Sequence, residues 1–288
     1  MGIKIITDSA CDLPVKYIKE NNIEIVSLTV NINGEFIPDD LGQTLKYDEF
    51  YKMIREGGMP STAQVNVGTF EEVFKKYANK GDSIIYIGLS SALSGTFNSA
   101  NIAMQSILDE YPNADISIID SLSVSLGEGA IVYYICEMLK KGESKESVVK
   151  WAEDNKRKVI HAITVDDLNH LKRGGRISGA TAAVGSLLGI KPTLILDNEG
   201  KVIPGAKIKG RKKAMRYLVQ ELKDKAVNIE EQVVFICHAD CLKDAEELKE
   251  MILSEINVKD IMLNSIGAVV GTHGGPGTLA TIFIGKNR

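Results

Sequence analysis

The segment Ser90-Ser91-Ala92-Leu93-Ser94-Gly95-Thr96 is where this 288-residue chain could best meet a charged ligand. It follows an apolar, β-branched run at 84–89 and opens a helical pattern at 95–111. Hydroxyls and unpaired amides therefore gather where a strand ends and a helix begins, a setting that attracts anions. One serine would suffice as a helix cap, yet Ser90, Ser91, Ser94 and Thr96 all lie here. A second candidate is His273-Gly274-Gly275-Pro276-Gly277, read as a loop whose backbone is tightly placed. A third, weaker one is the polar stretch Ser61-Thr62-Ala63-Gln64, also read as a loop. Serines beside a histidine would equally suit a serine hydrolase acting on acyl substrates, and Asp8 or His273 would suit phosphoryl transfer. The nucleophile turn Gly-x-Ser-x-Gly is missing, however. Residues 205–212 approach a P-loop but carry Arg211 where lysine is needed, with no Ser or Thr after it. Gly127-Glu128-Gly129 lacks the third glycine of a dinucleotide fingerprint. Cys237-His238-Ala239-Asp240-Cys241 lacks the second ligand pair of a structural zinc site, so no metal is expected.

The elements that must position these residues alternate between strand and helix in the first half. Strands are predicted at 3–7, 23–32, 84–89 and 116–119, and helices at 14–21, 47–56, 69–79, 95–111, 127–141 and 147–157. Thr69 is read as a cap, with Glu72 three residues on. Such alternation implies a mainly parallel sheet with ligands beyond the carboxyl ends of its strands. Asp8-Ser9, Ser90 to Gly95 and Asp120-Ser121 all fall on that edge. After residue 158 the pattern becomes α+β: a strand at 159–165, a short helix at 168–173, a helix at 180–188, a hairpin at 191–207, a helix at 212–225, strands at 232–238, 261–266 and 278–284, and a helix at 242–256. The fold class is α/β with two domains, 1–158 and 159–288, and a ligand cleft between them.

Composition narrows the partners. A net charge of −4 argues against nucleic acid. No apolar run reaches the ~18 residues of a membrane span. The first residues run directly into a strand pattern rather than a leader, and the four cysteines lack a framework spacing, so a cytoplasmic location is expected. Basic clusters at 172–176 and 207–213 stand out in an acidic chain and could dock an acidic partner. Residues 180–190 are apolar and glycine-spaced, suited to a core helix or to the wall of an apolar tunnel.

Taken together, several segments resemble the DegV family of bacterial fatty-acid-binding proteins. They are Ile-Thr-Asp-Ser-Ala at 6–10, Ser-Thr-Ala-Gln at 61–64, Ser-Ser-Ala-Leu-Ser-Gly-Thr at 90–96, Leu-Lys-Arg-Gly-Gly-Arg-Ile-Ser at 171–178, Gly-Ile-Lys-Pro at 189–192, Arg-Lys-Lys-Ala at 211–214 and Gly-Thr-His-Gly-Gly-Pro-Gly at 271–277. The resemblance implies a carrier without catalysis or cofactor. Its ligand would be a long-chain fatty acid such as palmitate, stearate or oleate, held between two domains. Carried onto this chain, Thr62, Ser94, Gly95 and His273 bind the carboxylate. Arg173, Arg176, Lys209 and Arg211 dock a fatty acid kinase that makes an acyl phosphate for phospholipid synthesis, with transient membrane-surface contact for lipid exchange. Two departures stand out. Members often read Thr-Ser-Gln-Pro-Ser where this chain has Thr62-Ala63-Gln64-Val65-Asn66, and an arginine is expected near Lys209.

Overall fold

The computed structural model describes residues 2–166, 168–177 and 189–288. The helix expected at 180–188 lies outside the described residues. A four-stranded parallel sheet has the order β2 (Glu24–Val26), β1 (Ile3–Asp8), β6 (Ser83–Gly88), β7 (Ile116–Asp120). Its central strands are buried on both faces, which explains why β6 reads as a near-continuous apolar run rather than an alternating one. Helices α3 (Val67–Ala78) and α4 (Thr96–Glu110) pack against each other and against strands of this sheet.

The second sheet has six strands in the order β10 (Val202–Lys209), β9 (Ile190–Leu196), β8 (Val159–Thr164), β13 (Leu279–Ile284), β11 (Val233–His238), β12 (Asp260–Ser265). All neighbours are antiparallel except β11 and β12. On one face, Ile160, Val234, Ile236 and Phe283 form a core with Leu218 and Leu222 of α8 (Arg211–Lys225) and Leu248 and Ile252 of α9 (Leu242–Glu255). The other face meets α5 (Leu126–Lys140), which also packs against β1 and β6. A helix sandwiched between two sheets has no solvent face to make polar. That is why Leu126 to Val132 are buried without a break. Among the described residues the remaining α-helices are α1 (Val15–Glu20), α2 (Tyr47–Arg55), α6 (Lys145–Asn155), α7 (Asn169–Arg173) and α10 (Ala268–Gly274).

Four expectations change. The strand read at 23–32 is two: β2 in the parallel sheet and β3 (Thr29–Ile32) in a separate one. They break where the Leu28 N–H donates to Ser9 Oγ at 3.0 Å instead of to a strand. The polar stretch at 61–64 is not all loop: β5 (Ser61–Ala63) pairs with β3, which forms a hairpin with β4 (Glu35–Pro38). That hairpin turns at Asn33 and Gly34, both at positive φ, as a tight primed turn requires. Helix α3 is capped by Asn66, whose Oδ1 accepts the Thr69 N–H at 2.9 Å, not by Thr69. Finally, His273 sits in the last turn of α10 rather than in a loop. The sequence Ala-Val-Val-Gly-Thr is a poor helix former, and the bonds that hold this helix come from elsewhere in the chain.

Candidate functional site

Three elements bring the expected carboxylate residues together. Thr62 lies on β5, Ser94 and Gly95 in the turn before α4, and His273 at the end of α10. All four line one cavity of about 210 Å³. β5 contributes Thr62 because Val30, buried and opposite it on β3, fixes which face of the strand turns inward.

Thr62 Oγ1 and His273 Nε2 are 2.9 Å apart. Burial, together with the positive charge of Arg176, pulls the imidazole down to about 4, so it is neutral at pH 7. Its Nδ1 is buried without a hydrogen-bond partner among the described residues. An orphan acceptor costs less than an orphan N–H, so the proton belongs on Nε2, where Thr62 Oγ1 can accept it. The Thr62 hydroxyl hydrogen is then free to be donated into the cavity. Gly174 is pressed against the other side of the ring, where an added Cβ would come within 2.1 Å of Nδ1.

On the opposite side, Ser94 Oγ lies 2.9 Å from Thr96 Oγ1 and accepts the Thr96 N–H at 3.2 Å. The Gly95 amide lies at the helix start, where backbone N–H groups have no intrahelical acceptor. Gly95 is glycine for room rather than for conformation. A Cβ there would approach Gln64 Oε1 to 2.1 Å, and Gln64 is itself held by donating from Nε2 to Ser99 Oγ at 3.0 Å. The walls beyond this polar end are aliphatic and come from the six-stranded sheet, from α10 and from the connections after β2, β6 and β7, among them Leu28, Leu89, Val124, Ile163, Leu194 and Val269. Nothing in the sequence set these residues apart from the rest of the core, because lining an apolar cavity and filling a core need the same side chains.

The four basic residues expected to dock a partner separate into two kinds. Arg173 and Lys209 are exposed. Arg176 instead lines the cavity, donating from Nε to the Leu93 carbonyl at 3.0 Å and from Nη1 to the Gly174 carbonyl at 2.6 Å. Arg211 turns inward to Asp244 (2.8 Å), the Gly277 carbonyl (2.8 Å) and Cys241 Sγ (3.3 Å). It thereby braces the chain just after His273.

Among the described residues no hydrogen bond joins Ser94 to His273, since each is engaged with a threonine. Asp8 is fully buried, accepting from the Tyr86 hydroxyl and the Leu89 and Ala10 amides, and is not among the residues that line the cavity.

The sequence model of the family described as "Uncharacterised protein, DegV family" matches residues 2–286. The chain belongs to the DegV family. It is 48% identical to a DegV domain-containing protein of Clostridium perfringens over 99% of this chain and 98% of that one. A DegV family protein from Thermus thermophilus, described for its fatty acid binding, superposes with a TM-score of 0.90 at 30% identity, covering 99% of this chain and all of the other. DegV from Bacillus subtilis, described as a fatty acid binding protein, does so with a TM-score of 0.86 at 31% identity and the same coverage. No helix among the described residues is long and apolar enough to cross a membrane.

Proposed function

We propose that this DegV protein binds a long-chain fatty acid such as palmitate, stearate or oleate. The carboxylate would lie on Thr62, Ser94, Gly95 and His273, and the tail along the aliphatic walls. The supporting observation is that these four residues, drawn from distant parts of the chain, meet at the rim of one apolar cavity. Each buried methylene gains about 0.8 kcal/mol, on the order of 11 kcal/mol for a sixteen-carbon tail. Association costs roughly 4–15 kcal/mol, so the tail must be almost wholly enclosed. An enclosed carboxylate cannot be left unpaired; neutral hydroxyl and amide donors meet it without requiring a second buried charge. The cavity would lie between domains divided near residue 158, 1–158 and 159–288.

The protein acts in this reading as a carrier that presents the acid to a fatty acid kinase, with brief membrane-surface contact for exchange. Exposed Arg173 and Lys209 are suited to docking. Arg176 and Arg211, with their guanidiniums turned inward, would contribute by shaping the docking face. A hydrolase or phosphoryl-transfer reading has less support, because among the described residues Ser94 has no base bonded to it and Asp8 does not line the cavity. Extraction of the purified protein under denaturing conditions, followed by mass spectrometry, is expected to release a long-chain fatty acid. An empty protein that also fails to take up labelled oleate or palmitate would refute the proposal.

A further inference from the structure

Helix α10 reaches the proposed site at its C-terminal end, where it carries His273. Its other end is held by two carboxylates from distant parts of the chain. Asp12 Oδ1 accepts the Gly267 N–H at 2.8 Å, and Asp39 Oδ2 accepts the Val269 N–H at 3.1 Å. Both side chains are buried, with Asp12 at 2% exposure and Asp39 at 3%. They flank Gly267 so closely that a Cβ there would lie 2.8 Å from Asp12 Oδ1 and 3.1 Å from Asp39 Oδ2. Asp39 is also tied to the cavity wall, since its own N–H donates to the Leu28 carbonyl at 2.8 Å. Leu28 and Val269 both line the cavity.

Among the described residues, the groups facing this pair offer hydrogen bonds but no compensating charge. From α2 the Tyr47 hydroxyl donates to Asp39 Oδ1 at 3.3 Å, and the Tyr51 hydroxyl donates to the Ile266 carbonyl at 2.8 Å. From the turn before α5 the Ser125 hydroxyl donates to Asp12 Oδ2, and from β12 Asn264 Nδ2 donates to the Asp12 carbonyl at 2.8 Å. Cys237 of β11 completes the surroundings as a thiol that burial keeps protonated, and Ser265 lies at the end of β12. The charges that act most on the two carboxyls are other carboxylates: Asp39 and Asp8 on Asp12, and Asp40 on Asp39. Beside them is a cavity of about 180 Å³ lined by Asp12, Tyr47, Asn264 and Ser265.

We propose that Asp39, seconded by Asp12, is a positioning residue for the ligand's carboxylate site: it fixes the start of α10 and, through that helix, the placement of His273 against Thr62. The inference rests on the fatty-acid reading for its ligand, but the clamp can be measured without one. Burial raises the Asp39 carboxyl to about 6. A raised carboxyl takes up a proton more readily when docked than when solvated, so lowering the pH favours the docked helix. His273 stays neutral down to about 4 and does not mask the effect.

The test compares wild type with Asp39→Asn, which keeps an acceptor oxygen without the charge, and with Asp39→Ala, which keeps neither. Labelled oleate is titrated into all three proteins at pH 7.5. Because α10 is already docked in the ligand-free protein, the pH effect is read in the opening of the helix: protection of the 267–271 amides in wild type, corrected for intrinsic rate, is expected to rise about fourfold from pH 7.5 to 5.5, the factor for a carboxyl titrating near 6 when docked and near 3.9 in water, and to stay level in Asp39→Asn. Asp39→Ala is expected to weaken binding at least tenfold at pH 7.5. Wild-type affinity in Asp39→Ala, or protection that changes identically in wild type and Asp39→Asn, overturns the proposal. Should Asp39→Ala fail to fold, hydrogen exchange at residues 267–271 in the ligand-free wild type and Asp39→Asn decides. Protection corrected for intrinsic rate should rise at pH 5.5 in the wild type alone, and identical behaviour in both overturns the clamp. If the wild type takes up no fatty acid at any pH, the functional reading fails and the exchange result still judges the clamp.

Discussion

The two sides of the proposed carboxylate site are built by opposite means. The Ser94–Gly95 side is local: strand β6, the turn and helix α4 follow one another, and Ser94 bonds to Thr96 two residues on. The His273 side is borrowed. Helix α10 begins on Asp12 and Asp39, lies against Tyr51, and ends where Arg211 holds the Gly277 carbonyl. A local arrangement survives most distant changes. A borrowed one fails when any of its remote supports moves.

Crowding the borrowed side should therefore have the largest effect. A Cβ at Gly271 would lie 2.3 Å from the Tyr51 hydroxyl, and Tyr51 is fully buried and tied to Ile266. Gly271→Ala is expected to destabilise the fold by about 1–3 kcal/mol and to abolish fatty-acid uptake. A urea midpoint equal to wild type would show that α10 has slack. Truncation of single donors comes next, and should be unequal. Thr62→Ala strips His273 Nε2 of its acceptor and the ligand of a donor, costing about 1–3 kcal/mol in affinity. Ser94→Ala leaves the Thr96 hydroxyl nearby and should cost about 0.5–1.5 kcal/mol. Equal losses in a binding titration would erase the distinction between the two sides.

The smallest effect is in pH dependence. The unfolded chain protonates His273 near 6.5, whereas the folded chain does so only at about 4. Stability from this group is thus lost as pH falls from about 6.5 towards 4. Asp8 and Asp39, both raised to about 6, do the reverse and add stability over much of the same interval. Other buried groups act in both senses as well: His161, held down to about 3, adds to the loss, and Asp12 and Glu128, raised by burial, add to the gain. Asp39→Asn removes one of the opposing terms, so its denaturation midpoint should fall more steeply than that of wild type between pH 6.5 and 4.5. Parallel curves would mean that Asp39 titrates at its solution value.

What was readable from the residues follows the same division. The parallel sheet was legible because strand and helix patterns alternate through the first half, with Ile84 to Ile87 an unbroken apolar run. The Ser-rich turn was legible because hydroxyls clustered at a strand end, and the β9–β10 hairpin because Asn198, Glu199 and Gly200 interrupt two strand patterns. The role of Arg176 beside His273 was not, because a guanidinium spent on backbone carbonyls and one left in solvent are the same letter in a sequence. Nor was α10, whose composition argues against a helix.

By itself, then, the sequence determined the strand and helix periods, the hydroxyl-rich turn and the family, since these depend on residues near one another or on an ordered set of motifs. Only the tertiary structure decided that Thr62 stands on an edge strand within 2.9 Å of His273, that a weak helix is held by carboxylates more than two hundred positions away, and that aliphatic residues from one sheet, one helix and several connections line one cavity. Those outcomes are set by which groups are shut away from water together, and burial is a property of the packed chain rather than of any segment in it.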